Sequence, residues 1–176
     1  MNATVQLTGK ARTFPSDEII VSKTDTAGRI LYANDTFLKI SDYTEAELIG
    51  KPHNIIRHPD MPSCIFNLLW ETLSAGQEMF AYVNNRTKYG DNYWVLAHVT
   101  PTYDQEGKII GYHSSRRSPT DSALAVIEPV YAKLRAEERR HQKKKDAIAA
   151  SSKMLRAFLD EKGMPYEAFI FTIINA

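Results

Sequence analysis

The alternation of apolar and polar residues near the start of the chain predicts short strands and short helices. Residues 19–22 and 30–33 are short extended runs, and Gly28 between them suits a tight turn, so we expect a β-hairpin. Thr44 and Glu47 then have the spacing of a capping box, which predicts the first turn of a helix. This part of the chain therefore has mixed α and β character.

A longer helix and a group of strands follow. Apolar residues recur at three- and four-residue intervals from Phe66 to Leu73, which predicts an amphipathic helix. The extended runs at 79–84, 93–103 and 109–116 are separated by turn residues, which predicts an antiparallel meander. The order of two strands, short helices, one longer helix and three strands is an α+β pattern.

The pattern changes after residue 119. Apolar positions at helical spacing continue over 120–162 and predict one long helix, although Pro129 allows a break because an interior proline removes a hydrogen bond. Residues 139–145 form a basic run, which fits either a solvated helix face or a surface for an acidic partner or a lipid membrane. The helical spacing of apolar residues within 163–176 predicts a short docking helix, which packs either on the chain's own sheet or on a partner.

These patterns divide the chain into four parts. Residues 1–17 show no sustained periodicity, so we interpret them as an N-terminal cap. The four parts are 1–17 as the cap, 18–119 as the folded domain, 120–162 as the long helix and 163–176 as the docking helix.

Composition and charge narrow the function classes. The chain has 22 basic and 21 acidic side chains, so no overall field favours binding to nucleic acid. Cys64 is its one cysteine, which excludes an intrachain disulfide and a thiolate zinc site. The first residues lack the features of a signal peptide, and no apolar run approaches about 18 residues. We therefore expect a cytoplasmic protein without a membrane span.

The most specific motif lies in the irregular stretch before the amphipathic helix. It reads Gly50-Lys-Pro-His-Asn-Ile-Ile-Arg-His-Pro-Asp-Met-Pro62, and further matching segments lie at 32–37 and 88–95. Over roughly residues 18–135, the chain resembles PAS domains of the aerotaxis-receptor (Aer) type. The resemblance implies a PAS fold over residues 18–119, in which a five-stranded antiparallel sheet and short helices enclose a ligand pocket and C-terminal helices follow.

The same resemblance implies a function. PAS domains of this type bind FAD noncovalently and convert its redox state into a chemotaxis signal, so a flavin-based redox or oxygen sensor for energy taxis is expected. The receptor's membrane anchor, HAMP domain and signalling region lie outside the match, so the chain is similar to the soluble, CetB-like member of split energy-taxis receptors. The implied partner is a membrane chemoreceptor that supplies HAMP and signalling domains in trans and can recruit this chain to the inner face of the membrane. The N-terminal cap and the C-terminal helices also offer surfaces for a homodimer.

A FAD pocket needs aromatic packing, amide groups and a cation, and the chain contains all three. Arg57 is expected to anchor the cofactor or to form an ion pair with Asp60, and both roles can hold together. Asn85 is expected to bind the amide-like edge of the flavin ring, with a turn role as the alternative. The full set of cofactor-binding candidates is Arg57, His58, Asp60, His53, Asn34, Phe66, Trp70, Met79, Asn85, Tyr93 and Tyr112.

Several candidates have a structural alternative. Asn34 is either a second amide contact or a helix cap, and Trp70 is either a pocket wall or part of the core. His58 either contacts the cofactor or fixes the backbone of its loop. Met79 stands where the resemblance leads us to expect a tryptophan beside the flavin ring, and its thioether can still pack against an aromatic ring.

Other function classes stay open at this point. A PAS domain can bind haem, here through His53 or His58, or a small metabolite. It can also be an apo interaction module, with its pocket filled by side chains such as Met79 and Phe80. A LOV-type photoreceptor would need a cysteine in the helix after Pro52, where this chain has none. We do not expect an enzyme, because no nucleophile with a base, phosphate loop or catalytic carboxylate pair is evident.

Overall fold

A six-stranded β-sheet forms the centre of the computed structural model, which describes residues 5–174. In chain order the strands are β1 (Ala11–Arg12), β2 (Ile20–Thr24), β3 (Ile30–Ala33), β4 (Met79–Arg86), β5 (Asn92–Tyr103) and β6 (Ile109–Arg117). Strand β3 pairs with β2, β2 with β6, β6 with β5, and β5 with β4, and these four pairings are antiparallel. Strand β1 pairs in parallel with β5.

The helices fall into two groups. Three helices and one 3₁₀ turn connect β3 to β4, and three further helices follow β6. The first group consists of α1 (Asp35–Ser41), α2 (Glu45–Leu48), the 3₁₀ turn His53–Ile56 and α3 (Ser63–Ser74); the second consists of α4 (Asp121–Glu138), α5 (Lys144–Lys162) and α6 (Tyr166–Ile174). This arrangement confirms the predicted α+β PAS fold with C-terminal helices. No helix within residues 5–174 is both long enough and apolar enough to cross a bilayer.

The two faces of the sheet have different neighbours. Residues that pair directly across antiparallel strands share a face, so the register places Val83 and Arg116 on one face and Tyr82 on the other. On the second face, Tyr131 of α4 donates its hydroxyl proton to the carbonyl oxygen of Tyr82 (2.9 Å), and its ring lies 6.1 Å from that of Trp94. The C-terminal helices therefore cover the face that points away from the first group of helices.

The N-terminal arm adds a strand that the sequence pattern does not predict. Ala11 and Arg12 pair in parallel with the start of β5, and the Arg12 guanidinium bridges Asp42 and Asp91, each at 2.7 Å. Phe14 is buried in the core under α1. The predicted five-stranded antiparallel sheet is thus extended by one short parallel strand from the predicted cap, of which residues 1–4 lie outside the described residues.

The predicted long helix is two helices, and the break is not at Pro129. This proline lies inside α4, where Ile127, Tyr131 and Leu134 are buried in the core. Their burial offsets the lost hydrogen bond, which costs about 3 kcal/mol in an unsupported helix. The chain turns over residues 139–143 instead, because a straight continuation would expose the apolar stripe of α5 to water.

The predicted docking helix packs on its own chain. Phe169, Ile170 and Ile173 of α6 are buried in the same core as α3 and β4, and the ring of Phe169 lies 5.2 Å from that of Phe158. Residues 175–176 of the predicted segment lie outside the described residues. Between the two alternatives for this helix, the described residues fit docking within the chain.

A buried carboxylate joins the C-terminal helices to α3. Glu138, the last residue of α4, is 4% exposed and accepts hydrogen bonds from the amides of Ser63 (2.7 Å) and Cys64 (3.1 Å). It also accepts from the Ser151 hydroxyl (3.0 Å) and pairs with Arg135 (2.7 Å). Because Pro62 at the N-cap of α3 has no side-chain cap, Glu138 supplies the acceptor that a local cap would provide.

Replacing this carboxylate should destabilise the fold. Glu138→Ala leaves the amides of Ser63 and Cys64 and the Arg135 guanidinium without their acceptor, so we expect the free energy of unfolding to fall by about 3 kcal/mol. Urea denaturation followed by circular dichroism measures this change. The adjacent Glu137→Ala is the matched control, because Glu137 pairs with Arg140 and His141 at the surface and should contribute much less. Equal losses for the two variants would contradict the proposed role of Glu138.

Candidate functional site

A cavity of about 520 Å³ lies between the sheet and the first group of helices. This volume falls in the range of roughly 300–1,000 Å³ that small-molecule sites occupy. Side chains from β2, β4, β5 and β6 line the sheet side, and the 3₁₀ turn and α3 line the opposite side. The start of α5 completes the wall.

Six of the eleven predicted site residues line this cavity. They come from the signature loop, α3 and two strands, which are distant in sequence, so the fold brings them together. The six are His53, Arg57, Phe66, Trp70, Asn85 and Tyr112.

Arg57 is held by its loop and by an aromatic ring. One of its terminal nitrogens, Nη2, donates to the Met61 carbonyl oxygen and to the Ser63 hydroxyl, both at 3.1 Å, and the guanidinium lies 4.1 Å from the centre of the Phe66 ring. Its backbone forms a β-bridge with that of Asn85, and burial lowers the pKa of Arg57. The alternative ion pair with Asp60 is not formed.

The second arginine of the cavity, Arg116, is 4% exposed and has no carboxylate partner among residues 5–174. Its Nη2 donates to the Ser22 hydroxyl and to Nε2 of His53 (2.7 Å), while its Nη1 is buried without a hydrogen-bond partner. The ring of Phe37 lies 5.1 Å from the guanidinium carbon. A buried charge without a counterion is costly, so its presence indicates a functional site.

The protonation state of His53 follows from its burial from water and from the neighbouring Arg116. Burial, and next the positive charge of Arg116, lower the pKa of His53 to about 3, so the imidazole is neutral near pH 7. Neutral Nε2 can then accept a hydrogen bond from Arg116, and the ring also stacks on Phe37 at 5.9 Å. Burial lowers the pKa of Arg116 to about 10. Because this value is still well above pH 7, the guanidinium stays charged.

The cavity wall is cationic. Arg57, Arg116 and Lys144 line it, and none of the described lining residues is an aspartate or a glutamate. The hydroxyl oxygen of Ser114 is also buried without a hydrogen-bond partner in the described protein. These groups favour a ligand that carries negative charge or electron-rich oxygen and nitrogen atoms.

Aromatic and aliphatic side chains form the rest of the wall. Trp70 is 42% exposed and meets the Tyr112 ring edge-on at 5.4 Å, so it is a wall residue rather than part of the closed core. A β-carbon on Gly28 would lie 3.3 Å from the Trp70 ring, so a glycine there leaves room for the indole. A flat aromatic ligand would find apolar contacts on this side.

Asn34 lies outside the cavity wall and fills the alternative role of a cap. Its side-chain oxygen accepts from the amides of Phe37 (3.1 Å) and Val21 (2.9 Å), and its nitrogen donates to the Ile19 carbonyl (2.8 Å). These three hydrogen bonds join α1 to β2, so the geometry gives Asn34 a structural role.

Four other predicted residues also lie outside the wall. His58 is buried and accepts the Asp60 amide proton (3.2 Å), which fixes the loop, while the Asp60 carboxylate pairs with Arg139 (2.8 Å). Met79 shares the cavity face of β4 but is buried in the core beyond the wall. Tyr93 pairs with Asn85 across the strands and is buried beneath α1.

Several lining residues were not among the predicted ones. Arg116 and Ser114 were detectable, because they follow Tyr112 at intervals of two on one strand and therefore share its face. Lys144 and Ile148 could not be found in this way, because they reach the cavity only through the turn between α4 and α5.

The described residues offer no cluster of three or more His, Cys, Asp and Glu side chains that could hold a metal ion. Cys64 is buried, and burial raises the pKa of its thiol to about 11. The polar side chains of the cavity wall carry guanidinium, ammonium, imidazole, amide and hydroxyl groups.

Comparison with known proteins identifies the domain. Residues 30–116 match the family model described as the PAS fold. The aerotaxis receptor of Escherichia coli K12 is 48% identical over 120 residues, which are 68% of this chain and 24% of that receptor. Phototropin-2 of rice is 29% identical over 80 residues, 46% of this chain and 9% of that protein. The chain thus spans about a quarter of the length of the aerotaxis receptor.

Solved structures agree on the fold. The dark structure of the blue-light photoreceptor Aureochrome1 LOV has a TM-score of 0.55 at 20% identity and covers 69% of this chain and 84% of its own. The PAS domain of the fruit-fly ELK potassium channel has a TM-score of 0.51 at 18% identity and covers 56% of this chain and 85% of its own. The chain therefore contains a PAS domain, and over 68% of its length the chain is similar to the aerotaxis receptor.

Proposed function

We propose that this chain is a flavin-binding PAS sensor that holds FAD and reports its redox state to a chemotaxis receptor for energy taxis. The observation that carries the proposal is the cavity, whose wall, within residues 5–174, combines three cations, no carboxylate, one amide side chain from β4 and a row of aromatic rings. The similarity to the aerotaxis receptor supports the choice of a flavin over other aromatic ligands.

The residues of the cavity match the parts of a flavin nucleotide. Phe66, Trp70 and Tyr112 would pack against the ring, and Asn85 would bind its pyrimidine edge. Arg116, with an unpartnered Nη1, would face an electron-rich atom of the ring or a negative charge. A bound flavin would supply reversible electron and proton transfer.

A continuous set of contacts leads from the cavity to the C-terminal helices. Asn85 and Arg57 are joined through their backbones, Arg57 donates to the Ser63 hydroxyl, and the Ser63 amide donates to Glu138. A change in hydrogen bonding at Asn85 or Arg57 would therefore alter the support of α4 and α5. We infer that this set carries the signal, together with strain in the sheet.

The output would be a protein contact. We propose a membrane chemoreceptor that supplies HAMP and signalling domains in trans, with the chain acting in the cytoplasm at the inner face of the membrane. The name of the relative, aerotaxis receptor, supports this pathway. A homodimer through the N-terminal arm or the C-terminal helices would be compatible with the same role.

Two alternatives fit the geometry less well. A haem would need a free imidazole nitrogen, whereas Nε2 of His53 accepts from Arg116 and His58 lies outside the cavity wall. An apo module would need a filled pocket, but Met79 lies beyond the wall and Phe80 stacks on His98 (4.1 Å) on the opposite face of the sheet.

The nature of the ligand can be measured directly. Purified protein should be yellow, and denaturation should release a noncovalent flavin that chromatography identifies as FAD. Its absorption should be lost on reduction and return in air. A haem spectrum in place of these bands, or colourless protein that takes up no flavin on reconstitution, would contradict the proposed function.

Arg116 should matter for the ligand and not for the fold. Arg116→Met removes an uncompensated buried charge, so the apoprotein's free energy of unfolding should be unchanged or about 1 kcal/mol higher. Affinity for FAD should fall at least about tenfold, because a charge-assisted hydrogen bond is lost. Arg117→Met, at the next and exposed position, is the control and should bind FAD like the unmodified protein. Wild-type affinity in Arg116→Met would remove Arg116 from the site.

The neutral His53 predicts a pH dependence of stability. Unfolded His53 takes up a proton near its ordinary pKa of about 6.5, but folded His53 does so only near about 3, so the unfolded state binds more protons in this window. Stability is therefore full above about pH 6.5 and falls as the pH drops. The difference in unfolding free energy between wild type and His53→Gln should shrink by up to about 1.4 kcal/mol per pH unit below about pH 6.5. A difference that stays constant down to about pH 5 would contradict a neutral His53 with a lowered pKa.

A further inference from the structure

One part of the cavity wall comes from outside the PAS domain. Lys144 and Ile148 belong to α5, which begins 28 residues after the end of the family match at Arg116. Ile148 is partly buried, whereas Lys144 is exposed and so marks the rim of the cavity. The C-terminal helices therefore do more than cover the outer face of the sheet.

The ammonium group of Lys144 has no ion-pair partner among the residues that the structure describes. It makes no ion pair or side-chain hydrogen bond with any residue between 5 and 174, although several carboxylates are close in sequence. Glu137 is committed to Arg140 and His141, and Glu138 to Arg135 and α3. Of the basic run 139–145, Lys144 is the residue that lines this cavity.

The depth of the three cations suggests how a ligand is oriented. Arg116 is 4% exposed and lies on the sheet, Arg57 is partly buried in the loop, and Lys144 is exposed at the first turn of α5. A ligand with an aromatic body and a flexible anionic tail would place the body inside and the tail at the rim. The N-terminal end of this 19-residue helix adds a favourable field for negative charge.

We propose that Lys144 binds the phosphate of a flavin nucleotide, so that α5 forms part of the cofactor site. This inference rests on the proposed function, because it requires a flavin in the cavity. The ligand class is a flavin that carries a 5′-phosphate, either the mononucleotide or the dinucleotide, and riboflavin lacks the group that Lys144 contacts.

The contact would also give α5 a role in sensing occupancy. Phosphate binding at Lys144 would tie the first turn of α5 to the cavity, while Glu138 at the end of α4 already binds Ser151 further along α5 and the Ser63 amide of α3. Cofactor loading would thus favour the docked position of α5, because a ligand stabilises the state that it binds.

The experiment compares three ligands and four proteins. Full-length apoprotein is titrated with riboflavin, flavin mononucleotide and FAD by fluorescence quenching, for wild type, Lys144→Ala, Lys144→Arg and Lys145→Ala. Lys145 is the matched control, because it is adjacent, equally basic and absent from this cavity wall. We expect Lys144→Ala to weaken both phosphorylated flavins about five- to tenfold and riboflavin less than about twofold. Lys144→Arg should restore binding, and Lys145→Ala should match wild type.

The outcomes separate the two proposals. If wild type binds none of the three flavins, the proposed function fails and this inference fails with it. If wild type binds flavin but Lys144→Ala binds all three as wild type does, or weakens riboflavin as much as the nucleotides, the proposed function stands and the phosphate contact is wrong. Added salt should reduce the wild-type preference for phosphorylated flavins and leave Lys144→Ala unaffected.

Discussion

The cavity is organised around one costly feature, the guanidinium of Arg116, which is buried without a carboxylate partner among residues 5–174. Arg116 is held by the Ser22 hydroxyl, by neutral His53 and by the face of Phe37, and these contacts only partly replace water. Replacing buried ionic groups by apolar ones of similar volume is often neutral or stabilising, so stability does not explain why Arg116 is there. The proposed flavin would explain it by meeting the guanidinium, and the surrounding wall of cations, amide and aromatic rings has groups that suit a flavin.

The sheet separates the cavity from the surface on which α4 packs and also connects the two. One face of β4 and β5 lines the cavity, while the opposite face packs on Tyr131 of α4. At the end of α4, Glu138 accepts hydrogen bonds from the Ser63 amide of α3 and from the Ser151 hydroxyl of α5. Helix α5 also reaches the cavity rim, through Lys144. The C-terminal helices therefore contact the domain at both faces, and a change in the cavity has two short routes to them.

Local chemistry made part of this structure predictable from the sequence. Gly28, the capping box at Thr44 and Glu47, and the spacing from Phe66 to Leu73 act within a few residues, and the hairpin, the short helix and α3 form as expected. Among the site residues, Arg57 and Asn85 were predicted from their chemistry, and a β-bridge between their backbones brings them together.

The remainder depends on contacts between distant parts of the chain. Pro129 predicts a break in a free helix, but burial of α4 against the sheet keeps that helix intact. Asn34 has the chemistry of a ligand contact, yet its side-chain oxygen accepts hydrogen bonds from the amides of Phe37 in α1 and Val21 in β2. Lys144 carries no local signal at all, because only the fold of the C-terminal helices brings it to the cavity.

The central claim is that the cavity beside Arg116 holds the flavin. A crystal structure of the full chain reconstituted with FAD tests it most directly. The account predicts the flavin ring between the sheet and α3, against Phe66 and Trp70, with the Arg116 guanidinium in contact with the ring edge. A flavin bound elsewhere, or a bound flavin that leaves Arg116 without any contact to it, would contradict the account.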